Sequence, residues 1–218
     1  MPTNFPQRLP RPIIYPVTSG KTTSQTTPDI LRLVRAAVEA GVSLFQIREK
    51  SLPTRVLYEL TTRAAEITRG SKTRLLVNDR ADIARAAGAD GVHLTAHSLP
   101  ADVVRSTFGP EFLIGVSTHS LEEAREARDG GADFIVFGPV FEKGGFSTPQ
   151  GMDKLRQVTS ELGDFPVLAI GGISLDNAGA CFDAGASGIA AIRLLNDAAR
   201  MQEVYDRIQT SCAQHRRA

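Results

Sequence analysis

Four stretches decide the architecture: Ala40-Gly41-Val42-Ser43-Leu44-Phe45, Ala87-Gly88-Ala89-Asp90-Gly91-Val92, Gly130-Gly131-Ala132-Asp133-Phe134-Ile135 and Ala184-Gly185-Ala186-Ser187-Gly188-Ile189. Each reads as a helix end, a glycine, a small turn and an apolar run. Glycine after a helix suits the left-handed cap, where other side chains clash. Gly41, Gly88, Gly131 and Gly185 recur every 43 to 54 residues. A βα unit takes roughly half of that, so each interval holds about two units. The count predicts eight strands and eight helices, an α/β chain folded as a single (β/α)8 TIM barrel.

The segments between the repeats agree. Strands are expected near 13–17, 43–47, 74–77, 91–94, 112–115, 133–137, 166–170 and 188–192. They are short and continuously apolar, as parallel strands buried on both faces should be. Thr27-Pro28-Asp29 supplies a cap, a first-turn proline and an acid for the first helix. Ser120-Leu121-Glu122-Glu123 is a capping-box pattern, and Ser174 is a candidate cap after Gly171-Gly172. The rival architecture, an open doubly wound sheet, lacks its GxGxxG fingerprint here.

Composition narrows the function classes. The 218 residues are 42% hydrophobic and 22% charged, which is globular stock and not a disordered chain. Lys and Arg total 25 against 24 Asp and Glu, so no global field attracts nucleic acid, although a local phosphate site needs only a few amides and cations. No apolar run is long enough to span a membrane. Two cysteines, Cys181 on a helix and Cys212 in the tail, have no metal spacing, and a reducing cytoplasm fits. Residues 1–12 are expected to be a loose proline-rich arm, 13–212 the barrel and 213–218 a tail.

In such a barrel the chemistry sits at the C-terminal ends of the strands. Gln46, Arg48 and Lys50 alternate onto one face after the second strand, an amide and two cations suited to a pyrophosphate. The alternative is a solvated loop in which Glu49 pairs locally. Asn78-Asp79 ends the third strand. Asp79 is either a Mg²⁺ ligand or the N-cap of a helix over 80–87. His93 reads as a packing residue, His97 as solvated, and His119, between Ser117 and Ser120, as a substrate or structural donor. The glycine- and hydroxyl-rich connection 142–151 is a candidate lid. Gly171-Gly172 let backbone amides close on a phosphate, and Arg193 after the eighth strand either adds charge there or caps a carbonyl.

The segments FQIREK, LLVNDRADIARAAGADGVHL, IGVSTHSLEEAREA, GADFIVFGPVF and PVLAIGGIS, in this order over about residues 13–195, resemble the thiamine-phosphate synthase family and its thiazole tautomerase relatives. The resemblance implies a Mg²⁺-dependent transferase. It would couple a pyrimidine carried as its pyrophosphate to a phosphorylated thiazole, releasing pyrophosphate and leaving thiamine phosphate. Carried over by position, Gln46, Arg48, Lys50 and Asn78 would hold the pyrophosphate. Asp79 would bind Mg²⁺, Ser117 would offer a hydroxyl on the pyrophosphate side, and Gly172 would face the thiazole phosphate.

Three positions depart from the synthase pattern. Ser98 stands where a second metal carboxylate is usual. Lys143-Gly144-Gly145-Phe146 replaces a Thr-x-Thr-Lys pattern, with Lys143, Ser147 and Thr148 as substitutes. Arg193 replaces a serine. The tautomerase alternative lacks its histidine, since Pro139 stands there. A phosphate-binding barrel without catalysis is the third reading. The partners expected are these small phosphorylated substrates, with no nucleic acid and no membrane, and no oligomeric state is assigned.

Overall fold

The computed structural model describes residues 9–142 and 148–215. Eight strands alternate with eight helices. The first half runs β1 (Ile13–Pro16), α1 (Thr27–Ala40), β2 (Leu44–Ile47), α2 (Thr54–Thr68), β3 (Arg74–Asn78), α3 (Ala81–Ala87), β4 (Gly91–Leu94) and α4 (Ala101–Phe108). The second half runs β5 (Leu113–Thr118), α5 (Leu121–Asp129), β6 (Phe134–Phe137), α6 (Gly151–Leu162), β7 (Val167–Ile170), α7 (Ala178–Asp183), β8 (Gly188–Ala191) and α8 (Met201–His215). All ladders are parallel, in the order β1-β8-β7-β6-β5-β4-β3-β2. The eight expected strands are present, as is the (β/α)8 barrel.

Alternation sorts the strand side chains into two cores. Ile13, Tyr15, Val17, Leu44, Leu76, Leu113, Phe134, Val136, Leu168 and Ala190 fill the barrel. Ile14, Phe45, Leu75, Val77, Val92, Ile114, Ile135 and Ile189 face the helices. Leu9 belongs to the inner core and Ser43 donates to the Pro10 carbonyl, so residues 9–12 lie against the barrel floor.

The repeated turns have a mechanical role. In the Gly-Ala-Asp copies, Asp90 accepts from the Leu75 amide at 2.8 Å and Asp133 from the Ile114 amide at 2.7 Å. Each aspartate thereby ties the start of one strand to the start of its neighbour. Arg105 of α4 reaches Asp133 at 2.7 Å and also donates to the Gly109, Phe112 and Gly131 carbonyls.

The ring closes between β1 and β2 by a single bridge, Val17 to Gln46, with the Thr18 amide donating to the Gln46 carbonyl at 3.0 Å. The Arg48 amide donates to the Thr18 hydroxyl at 2.8 Å. The buried Glu49 carboxylate accepts from the Gly20 and Thr22 amides at 3.2 and 2.9 Å. Glu49 therefore ties down the β1–α1 loop and makes no local surface pair.

Three local expectations shift. Helix α1 is preceded by Thr26, whose hydroxyl serves Thr23 and caps nothing. Helix α7 starts at Ala178 after Asn177, so Ser174 is four residues too early to lie in it and instead donates its amide to Asn177. Cys212 lies in α8 and is buried, because its position faces the core on the helical period. The Ser120 cap is present, accepting from the Glu123 amide at 3.1 Å.

Candidate active site

The C-terminal ends of the strands enclose a cavity of about 390 Å³. Gln46, Arg48 and Lys50 enter it from β2, Asn78 from β3, Ser117 from β5 and Gly171 after β7. The one-face alternation after β2 is therefore realised, and Glu49 points the other way because it is one residue out of phase. Gln46 and Asn78 are buried and paired, with Gln46 Nε2 donating to Asn78 Oδ1 at 3.2 Å. That pair holds two amides at the floor of the cavity beneath the half-buried Arg48.

Two smaller recesses adjoin it. One, of about 80 Å³, is lined by Gly171, Gly172, Ile192 and Arg193 at the ends of β7 and β8. Gly171 and Gly172 both have positive φ, 95° and 65°. A Cβ on Gly171 would lie 2.4 Å from Pro139, and one on Gly172 would lie 2.7 Å from the Glu142 carbonyl. Glycine is thus required twice, by conformation and by space. The other recess, of about 200 Å³, is lined by Lys50, Asn78, Asp79 and Arg80.

Asp79 has φ 62°, the single non-glycine residue with positive φ among those described. It does not cap α3, whose preceding residue is Arg80 and which has no side-chain cap. Arg80 turns to Asp82 at 2.6 Å, so Asp79 stands exposed at the mouth. Ser98, where a second carboxylate was sought, accepts from the Thr95 amide at 2.7 Å and is thereby occupied in a turn. Among the described residues no group of three His, Cys, Asp or Glu is placed to hold a metal. Thr148 is exposed and does not line the cavity; Lys143 and Ser147 lie outside the described residues, as does half of the candidate lid, 143–147.

Sequence reasoning missed two contributors, Tyr15 and the working part of His93, and left His119 between two roles. Tyr15 lines the cavity from inside β1, and its signal is a phenol on the inward phase of an otherwise aliphatic strand. His93 is more than packing: its Nε2 lies 2.8 Å from Ser117 Oγ and its Nδ1 3.3 Å from the Tyr15 hydroxyl. Burial, aided by the charge of Arg48, lowers the His93 pKa to about 3, so its ring is neutral. His119 Nδ1 meets the Gly138 carbonyl at 2.5 Å and must be the donor there, which leaves Nε2 for the cavity.

A parallel barrel with cations, amides and a hydroxyl converging at its C-terminal mouth, beside a double-glycine recess, is the architecture of an enzyme that handles phosphorylated substrates. The family model for thiamine monophosphate synthase matches residues 14–195, and the chain belongs to that family. It is 41% identical to a thiamine-phosphate synthase of Moorella thermoacetica, over 81% of this chain and 89% of that one. It is 40% identical to a thiamine-phosphate synthase of Haloarcula marismortui, over 82% and 86%. The solved thiamine phosphate pyrophosphorylase of Pyrococcus furiosus superposes with a TM-score of 0.81 at 32% identity, covering 97% of this chain and 99% of that one.

Proposed function

We propose that the chain is a thiamine-phosphate synthase. It would join hydroxymethylpyrimidine pyrophosphate to hydroxyethylthiazole phosphate and release pyrophosphate. The observation that carries this reading is the convergence of Gln46, Arg48, Lys50, Asn78 and Ser117 on one cavity that opens onto the Gly171–Gly172–Arg193 recess. Two adjoining hollows support a reading with one site for a pyrophosphate and one for a separate phosphate.

The difficult event is loss of pyrophosphate from the pyrimidine methylene, which leaves a cation for the thiazole nitrogen to attack. Negative charge grows on the departing oxygens, so donors fixed in advance lower the barrier. Arg48 and Lys50 supply charge there, Gln46 and Asn78 amide donors, and Ser117 a hydroxyl. Gly171 and Gly172 offer backbone amides to the thiazole phosphate, and Arg193 adds a cation at that rim. Lys143, Ser147 and Thr148, from the connection after β6, are assigned to the same substrates by position in the chain.

Mg²⁺ fits this donor set as an ion shared with the substrate, because Asp79 is an exposed carboxylate in the recess beside the cavity and magnesium commonly takes one or two carboxylates plus phosphate oxygens. When bound it neutralises charge on the leaving pyrophosphate. Two cysteines, Cys181 and Cys212, both buried and without metal-ligand spacing, fit a cytoplasmic location, and no helix among the described residues is long and apolar enough to cross a membrane.

The test is direct. Purified protein with both precursors and Mg²⁺ should form thiamine phosphate and pyrophosphate in equal amounts. Absence of product across a series of divalent metals refutes the reading.

A further inference from the structure

Three side chains form a line from the middle of the barrel to the cavity: Tyr15 from β1, His93 from β4 and Ser117 from β5. We infer that Tyr15 and His93 are positioning residues that fix the Ser117 hydroxyl as a hydrogen-bond donor toward an anionic oxygen in the cavity. The proposed function enters only through the identity of that anion.

The direction of the line follows from its buried end. The Tyr15 side chain is fully buried and packs in the inner core, and among the described residues His93 Nδ1 is the hydrogen-bond partner of its hydroxyl. A buried O–H that donates to nothing is expensive. Tyr15 therefore donates, and Nδ1 accepts. An imidazole whose Nδ1 accepts carries its proton on Nε2, so Nε2–H donates to Ser117 Oγ. Burial raises the Tyr15 pKa well above its usual value, which keeps the phenol proton in place.

With its oxygen already accepting, Ser117 directs its own proton elsewhere, and the side chain lines the cavity that also holds Arg48 and Lys50. The opposite order would have Ser117 donating to Nε2 and Nδ1–H donating to the phenol. It would strand the Tyr15 proton. Ser117 is thus set to donate to an oxyanion and is not set to be deprotonated by His93 as a nucleophile would be.

The surroundings are cut to hold this line. His93 faces Gly115 across the β4–β5 ladder, and a Cβ there would lie 2.9 Å from His93 Nδ1 and 2.3 Å from Phe134. The Phe134 ring meets Tyr15 edge-on, at 5.6 Å and 84°.

Nitrogen NMR of the full-length protein labelled with ¹⁵N-histidine tests the order. His93, assigned by its loss in His93→Gln, should show a pyrrole-type Nε2 and a pyridine-type Nδ1. Tyr15→Phe should abolish that preference and weaken binding of inorganic pyrophosphate with Mg²⁺ about tenfold by calorimetry, as loss of one oriented charge-assisted donor predicts. Ser117→Ala should weaken it comparably, and the double variant no further than Ser117→Ala alone. In turnover, kcat should fall in Tyr15→Phe while the thiazole phosphate KM holds.

A pyrrole-type Nδ1 in the unaltered protein overturns the inference, as does an additive double variant. If Tyr15→Phe fails to fold, the NMR of the unaltered protein still decides. Protein that makes no thiamine phosphate, yet shows the Nε2–H tautomer and Tyr15-dependent pyrophosphate binding, refutes the synthase reading and leaves the relay standing. Protein that binds no pyrophosphate refutes both.

Discussion

Asp79 shows how one residue is placed against its own backbone preference. A left-handed conformation costs a non-glycine residue roughly 1–2 kcal/mol, and aspartate and asparagine bear it better than most. The fold keeps a carboxylate at φ 62° beside Lys50 and Asn78 where glycine would be easier. Asp79→Asn should therefore leave the unfolding midpoint nearly unchanged and remove metal-dependent turnover. Asp79→Gly should remove turnover too, while holding stability or raising it by up to about 1 kcal/mol. Denaturant titration beside the synthase assay checks both, and undiminished turnover in either variant would take Asp79 out of the site. The strand-end rule located this residue from sequence. Its backbone conformation could not be read there, because NDR fits a cap as well as a left-handed turn. Tyr15 escaped for a related reason: whether an inward phenol is packing or machinery depends on a histidine 78 positions away.

At the level of elements, seven strands were legible to within a residue at each end, because continuous apolar runs between turn glycines leave little choice of period, while β5 runs on to Thr118, past the expected 115, where its apolar run gives way to hydroxyls. Helix starts were less legible. Ser120 was found, since its capping box is a local pattern, whereas Ser174 and Thr27 misled because similar signals recur within a few residues of each other. The repeat itself carried more than spacing. Its aspartates join neighbouring strands at the floor, a role visible only once the register is known. Asp133 is nearly buried, and burial raises its pKa although Arg105 and the Ile114 amide oppose the rise. Asp133→Ala should cost about 3 kcal/mol, since it leaves a largely buried guanidinium without its counter-charge and the Ile114 amide without its carboxylate acceptor. Urea unfolding measures this, and a loss below about 1 kcal/mol, the size of an exposed pair, would show the tie to be unimportant.

For the whole molecule, near-zero net charge is no bar to a local anion site, since Arg48 and Lys50 face the cavity while Asp90 and Asp133 at the floor are paired with Arg74 and Arg105. Acid should weaken the fold through His93. Its pKa drops from 6.5 to about 3 on folding, so between those values the unfolded chain holds a proton that the native state does not. Stability should fall as pH drops through that window, with His93 contributing a slope of up to about 1.4 kcal/mol per pH unit, and should gain nothing from His93 above it. Comparing urea unfolding at pH 7 and pH 4.5 for the native chain and His93→Gln isolates this part, and equal losses in both would assign it to other groups. The barrel was legible as a count of eight. Its point of closure was not, since a single backbone bridge between Val17 and Gln46 leaves no periodic trace in the sequence. Seven neighbouring strand pairs share continuous ladders, while the eighth junction has one backbone bridge among the described residues, Val17 to Gln46. In hydrogen–deuterium exchange the Thr18 amide should therefore trade its proton well before those of β6 and β7. A ligand resting on Gln46 should slow that trade, turning the junction into a reporter of occupancy that needs no label and no turnover.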